Sequence, residues 1–327
     1  MDQLSPVRAV KKPAIKYGLI FVIILAVLTA QNGRKVVVGA EISSKSTDLS
    51  QPLGQLDSYV AVRKGVKSPL VYSKAYVLLD SDSAETIIAQ NADESLPIAS
   101  TTKMTTALVA LEKLPLDKVV TISSEPPKIN GSVIGLKTGE QMTILSLLKG
   151  LLIHSGNDAA MTLAEAYSGT EGDSAQFVAA MNEYVKSHHI LSTTFSDPAG
   201  LDDDTGRSTP QDLAQITRLL LQQPTLAAIV STPAETITSV DGQISHQLKN
   251  TNRLIESDSA YYLPSALGVK TGYTPAAGHC LIAAYRWQGR TLIGVVMNTN
   301  ESSNSASAAE MFKLFRWADN SLELRSY

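Results

Sequence analysis

The sequence predicts an α+β protein: one largely antiparallel sheet flanked by helices, with a helical lobe inserted between its strands. Three observations predict it. Apolar β-type segments, "AYVLLD" and "TIIAQN", flank a turn-like "SDSAE" early in the globular part. From Thr143 to Gln223 the chain has mostly helical periodicity. After about Pro233, β patterns return as "ETITSV-DG-QISHQL" and "HCLIAAYRW-QG-RTLIGVVMN". Strands from both ends of the domain should therefore share one sheet, drawn from 74–99 and 234–300, with the lobe at about 140–232.

The elements follow in order. The first 40 residues carry six basic side chains (Arg8, Lys11, Lys12, Lys16, Arg34, Lys35) against Asp2, and "YGLIFVIILAVLTA" adds 14 uncharged, mostly apolar residues. A basic flank before a short apolar run is the pattern of an export signal or a signal anchor, with the body outside the cytoplasm. Cleavage near Ala40 and retention as a membrane anchor both stay open, because a run of 14 residues is short of the ~20 that span a bilayer. Residues 41–73 are polar, Ser-rich and punctuated by Pro52, Gly54 and Pro69, which reads as a tether before a domain over 74–327. "SLPIASTTKMTTALVALEK" turns helical after a Ser/Thr-rich start, with Met104, Leu108 and Leu111 on one face. "ILSLLKGLLIH", "DAAMTLAEAYS" and "DSAQFVAAMNEYVKSHH" make the lobe; "DPAGLDDDTG" interrupts it; "STPQDLAQITRLLLQ" resumes it behind a Ser208/Thr209 cap and Pro210. "SASAAEMFKLFRWADNSL" closes the chain as an amphipathic helix.

Composition narrows the function. The 327 residues are 44% hydrophobic and 18% charged, ordinary for a globular protein. Beyond residue 40 there are 22 basic and 30 acidic residues, a net −8, which argues against nucleic acid as a partner. Cys280 is the only cysteine, so no internal disulfide forms, and its apolar setting reads as a buried small hydrophobe. The five histidines form no HExxH or similar spacing, and neither a metal nor a cofactor is expected.

Lys-Thr-Gly occurs twice, at 137–139 and 270–272, and Ser-x-x-Lys twice, at Ser100/Lys103 and Ser146/Lys149. On a helix, positions i and i+3 share a face, so each serine can meet its lysine. Ser146 lies inside a leucine-dense helix, where its hydroxyl is expected to bond back to helix carbonyls. Ser100 lies at a helix start, where unpaired N–H groups and the dipole favour a developing anion. Ser155-Gly156-Asn157 falls between two helices and can aim a hydroxyl and an amide into a cleft, although Asn157 or Asp158 would also serve as an ordinary cap. Only Lys270 follows Ser155 and directly precedes the last hairpin, so the 270–272 copy is the functional candidate and Lys137 is not.

SxxK, SxN and KTG in that order are the signature of serine penicillin-recognising enzymes. With "PIASTTKMTTALVALE", "LLKGLLIHSGNDAAMTLAE", "TTFSDPAGLDDDTGRSTPQDLA", "NTNRLI" and "GVKTGYTPAAGHCLIAA", the chain from about Ala75 onward resembles the D-alanyl-D-alanine carboxypeptidases of the low-molecular-mass penicillin-binding proteins. The resemblance implies a β-lactamase/transpeptidase-like fold, peptidoglycan stem peptides as substrate and β-lactams as inhibitors. Ser100 is then the expected nucleophile and Lys103 its base, made neutral by burial and by the Lys270 cation. Ser155 is expected to pass the proton to the leaving D-alanine and Asn157 to hold Lys103 and the substrate amide. Lys270 and Thr271 are expected on the terminal carboxylate, and Gly272 to allow close approach of the strand. The resemblance implies an oxyanion hole from the N–H groups of Ser100 and Tyr273. Two departures stand out. No C-terminal β-rich domain or anchor follows, so membrane attachment is expected only through an uncleaved N-terminal segment. The arginine that many relatives place after the last strand is missing from "MNTNESSNSASAAE". A class A β-lactamase is disfavoured because no Glu-x-x-Leu-Asn falls between Asn157 and Lys270. A D,D-endopeptidase, with identical chemistry, stays open. An inactive wall-binding relative should have lost one of the motif residues, and none is lost.

Overall fold

The structure is a computed structural model and describes residues 57–201, 205–299 and 303–327. The expected signal or anchor over 1–40 and the first part of the tether lie outside these residues. Among the described residues, no helix is long and apolar enough to cross a membrane.

The chain opens with β1 (Ser58–Val62), β2 (Ser73–Asp80), β3 (Thr86–Gln90) and the short β4 (Leu96–Pro97). A 3-10 turn over Ala99–Thr102 leads into α1 (Lys103–Lys113). β5 (Val119–Thr121) and β6 (Gln141–Thr143) bracket the next loop. Then come α2 (Ile144–Ile153), α3 (Asn157–Ser168), α4 (Ala175–Ser187), β7 (Arg207–Ser208), α5 (Pro210–Leu221) and α6 (Pro224–Val230). β8 (Ala234–Thr238), β9 (Ser245–Lys249), β10 (Ala266–Thr274), β11 (Gly278–Trp287) and β12 (Arg290–Thr299) follow, and α7 (Ala306–Ser321) runs directly into β13 (Leu322–Ser326).

The main sheet has the order β10-β11-β12-β2-β3, all antiparallel, so strands from both ends of the domain pair through β12 and β2. Both faces are covered, which explains why these strands read as nearly unbroken apolar runs. Side chains alternate across a strand. Ala75, Val77 and Leu79 enter the large core shared with α1–α6, whereas Tyr76 and Leu78 enter a smaller core under α7. Met311, Leu314, Phe315 and Ala318 give α7 the matching stripe at helical spacing.

Two expectations are corrected. The hairpin at 234–249 forms its own two-stranded ribbon, β8 with β9, and does not join the main sheet; β4 likewise pairs only with β7. Its alternating strands, unlike β10–β12, have one exposed face and so cannot be sandwiched between helices. The expected tether contains β1, which pairs with β13 from Ser58↔Ser326 to Val62↔Leu322. Val60, Val62 and Leu322 attach this ribbon to the smaller core. A five-residue pairing between opposite ends of the domain leaves little local pattern in either segment.

Candidate active site

The site lies where the start of α1, the α2–α3 turn, the 197–201 loop and the edge strand β10 converge. Ser100 sits in the 3-10 turn before α1, one turn from Lys103. Ala99 holds φ +47° and Ser155 φ +66°, left-handed conformations that cost a residue with a Cβ roughly 1–2 kcal/mol. Strain of this kind persists only where the surrounding structure enforces it, and here both strained residues adjoin or belong to the motifs.

Lys103 is fully buried. Its Nζ lies 2.8 Å from Ser100 Oγ, 2.7 Å from Asn157 Oδ1 and 2.6 Å from the Ala199 carbonyl oxygen. Burial, and then the positive charge of Lys270, hold its pKa well below the ordinary lysine value, against the opposing pull of Asp197 and Asp158. A neutral amine has two hydrogens and one lone pair. Asn157 Oδ1 and the Ala199 carbonyl can only accept, so they take the two hydrogens and the lone pair faces the Ser100 hydroxyl. The Asn157 amide is oriented by its Nδ2, which donates to the Asn130 carbonyl at 2.7 Å.

Lys270, also buried, donates from Nζ to Ser155 Oγ and to the Thr271 carbonyl, both at 2.9 Å. Burial lowers its pKa to about 7. Thr271 Oγ1 lies 2.5 Å from Thr251 Oγ1. A Cβ on Gly272 would sit 3.1 Å from both Ala99 Cβ and the Ile98 carbonyl, and 3.2 Å from the Ser100 nitrogen, so the glycine lets β10 lie against the turn that carries Ser100. Exposed Tyr273 stacks on His279 with centroids 4.3 Å apart. Ser100, Ser155, Thr271, Gly272 and Tyr273 line one open cleft of about 530 Å³.

The structure thus brings together Ser100, Lys103, Ser155, Asn157, Lys270, Thr271, Gly272 and Tyr273. It separates the second copies of the motifs. Ser146 Oγ accepts from Thr143 Oγ1, the cap of α2, at 3.0 Å; the expected bond from its hydroxyl back to a helix carbonyl is not made among the described residues, because Ser146 lies in the first turn of α2 and not in the helix interior. Lys149 pairs with Glu235. Lys137-Thr138-Gly139 is an exposed turn before β6. Cys280 is buried on β11, its thiol pushed up to about 11 by burial.

Sequence reasoning missed two supporting carboxylates. Asp158 caps little of its own helix; Oδ1 accepts from the Ile134 N–H at 3.0 Å, and Oδ2 from the Gly135 and Leu136 N–H groups at 2.9 and 3.1 Å, which fixes the loop before β6 beside Asn157. Asp197 accepts from the Ala199, Gly200 and Leu201 N–H groups at 2.7, 2.8 and 3.0 Å, and so aims the Ala199 carbonyl at Lys103. Burial raises its pKa against those bonds. The Asp-Pro-Ala-Gly turn signal was visible; its target was not. Gly200, at φ +79°, would drive a Cβ to 1.9 Å from the Ala99 carbonyl oxygen, so the loop packs directly on the Ser100 turn.

Comparison with known proteins gives the same fold and family. Residues 62–301 match the peptidase S11 family, D-alanyl-D-alanine carboxypeptidase. The chain is similar to the D-alanyl-D-alanine carboxypeptidase DacF of Bacillus subtilis, 32% identical over 77% of this chain and 63% of DacF, and so spans just under two thirds of that relative. It is 34% identical to a D-alanyl-D-alanine endopeptidase of Pseudomonas aeruginosa over 64% of this chain and 66% of that protein. The crystal structure of the Streptomyces K15 DD-transpeptidase superimposes with a TM-score of 0.70 and 30% identity, covering 77% of this chain and 99% of that one. The fold is that of the DD-peptidases, and the chain belongs to the peptidase S11 family of D-alanyl-D-alanine carboxypeptidases.

Proposed function

We propose that the protein is a serine-type D-Ala-D-Ala carboxypeptidase that removes the terminal D-alanine from peptidoglycan stem peptides through an acyl-enzyme on Ser100. The observation that carries this is the 2.8 Å contact between Ser100 Oγ and a buried Lys103 whose other two Nζ neighbours are acceptors only. Ser100 gives its proton to Lys103 as Oγ attacks the carbonyl carbon of the penultimate D-alanine. The N–H groups of Ser100 and Tyr273 receive the oxyanion. The proton passes through Ser155, held by Lys270, to the leaving nitrogen, and free D-alanine departs. Water then attacks the ester, Lys103 again takes the proton, and the shortened peptide and Ser100 are restored. Asn157 holds Lys103 and the substrate amide; Thr271 binds the leaving residue. β-Lactams react with the same serine. The site works outside the cytoplasmic membrane, where stem peptides are, and the basic-then-apolar N-terminal segment supports that location. An N-terminal segment left uncleaved would tether the body to the membrane.

The test is D-alanine release from a stem-peptide mimic, run beside a cross-linked peptide dimer. Release from the mimic by wild type and not by Ser100→Ala supports the proposal. Cleavage of the dimer alone would make the protein an endopeptidase, and no release from either would refute both.

A further inference from the structure

The proposed substrate leaves as an amino acid with a free carboxylate, so the cleft needs a cation at its leaving-group end. The expected one, Lys270, is not available for direct contact. Its side chain is 1% exposed and its Nζ is committed to Ser155 and the Thr271 carbonyl. Lys249, at the cleft wall, pairs with Glu256 at 3.1 Å. Among the lysines and arginines at the cleft that leaves Arg253, which lines it, is exposed, and has no ion-pair partner among the described residues.

Arg253 is also held on a rigid loop. Asn250 anchors the loop by donating from Nδ2 to the Val230 and Thr232 carbonyls at 3.2 and 2.9 Å. The Asn252 N–H bonds Asn250 Oδ1 at 2.9 Å, and the Leu254 N–H bonds Asn252 Oδ1 at 3.0 Å. These two successive side-chain turns bury Asn250, Asn252 and Leu254 and leave Thr251 and Arg253 exposed on the alternate positions. Thr251 is the residue whose hydroxyl meets that of Thr271. The loop therefore presents a hydroxyl pair and, two residues on, an unpaired guanidinium to one cleft. A guanidinium matches a carboxylate in a bidentate fork, and a preorganised loop loses little entropy in making that contact.

We propose that Arg253 binds the terminal carboxylate of the substrate, beside the Thr251–Thr271 hydroxyl pair, and so makes the cleft selective for a free C-terminus. The proposal rests on the carboxypeptidase function above. It would also fill the role for which "MNTNESSNSASAAE" offers no arginine.

The test compares full-length wild type, Arg253→Gln and Arg253→Lys on an acyl-D-Ala-D-Ala peptide with a free acid and on the same peptide with a carboxamide terminus. A fluorophosphonate, which phosphonylates an active serine with loss of fluoride and needs no carboxylate, reports the state of Ser100. Wild type should prefer the acid. Arg253→Gln should lose roughly ten- to a hundredfold in kcat/KM on the acid, the value of a charged hydrogen-bonded contact. It should stay within about twofold of wild type on the amide and on fluorophosphonate labelling. Arg253→Lys should fall between the two, keeping charge and losing the fork. An unchanged acid-to-amide ratio in Arg253→Gln, whether both rates fall or neither does, would overturn the role of Arg253 while leaving the carboxypeptidase standing. A wild type that releases no D-alanine from the acid would overturn both.

Discussion

Replacing Lys270 with methionine should change how stability depends on pH, and the size of the change follows from the burial of the amine. In the fold Lys270 titrates at about 7; in the unfolded chain a lysine titrates near ~10.4. Between those values the unfolded chain binds one more proton than the folded one at this site, so the site's contribution to stability is lost as pH falls towards 7 and is fully present above about 10.4. The slope is about 1.4 kcal/mol per pH unit, or about 4–5 kcal/mol across the window. Methionine has similar length and cannot titrate. Leaving Ser155 Oγ and the Thr271 carbonyl without their donor adds a cost that does not vary with pH. Urea unfolding of wild type and Lys270→Met in parallel at pH 7, 8, 9 and 10 reads the term, together with the smaller change at Lys103, whose amine loses a neighbouring positive charge in the variant while its burial is kept. The advantage of wild type over the variant should grow steadily with pH. A constant gap across that range would mean that Lys270 keeps an ordinary lysine pKa and that burial does not disfavour its ammonium in the fold.

Three further outcomes are expected. Lys270→Ala should lower kcat/KM by on the order of 3 kcal/mol of transition-state stabilisation, whereas Lys137→Ala, on its exposed turn, should change stability and rate by less than ~0.5 kcal/mol; equal losses in steady-state assays would mean that the wrong Lys-Thr-Gly lines the cleft. Gly272→Ala places a methyl 3.1 Å from the Ile98 carbonyl and Ala99 Cβ, which should push β10 off the Ser100 turn and slow β-lactam acylation by about tenfold or more, read by stopped-flow; wild-type rates would show that the strand yields freely. Asp197→Ala releases the three N–H groups that aim the Ala199 carbonyl at Lys103, and acylation should fall ~10- to 100-fold with the fold intact by circular dichroism, while an unaltered rate would make that carbonyl a bystander.

The parts of the site legible in the sequence were those with short-range spacing. Ser100 and Lys103 meet because i and i+3 share a helical face, and the order of motifs separated Lys270 from Lys137 before any geometry was known. The three-part α+β organisation was legible because periodicity changes from 2 to 3.6 and back along the chain. The illegible parts depend on partners distant in sequence. β1 is a strand because β13, more than 250 residues away, pairs with it. Asp158 looked like a helix cap, and its main partners are the backbone groups of 134–136. Lys270 read as a carboxylate ligand, yet burial turns its ammonium towards Ser155 instead. Residue type announced each chemistry, but only the packing reveals which neighbour uses it.

The most direct measurement is the site of β-lactam acylation. The purified protein, Ser100→Ala and Ser146→Ala would each be incubated with benzylpenicillin, weighed as intact chains, and digested to locate the adduct. A single covalent adduct per chain on the peptide containing Ser100, retained in Ser146→Ala and lost in Ser100→Ala, is the predicted result. An adduct that survives in Ser100→Ala, or that maps to Ser146, would contradict the assignment of the nucleophile and with it the proposed mechanism.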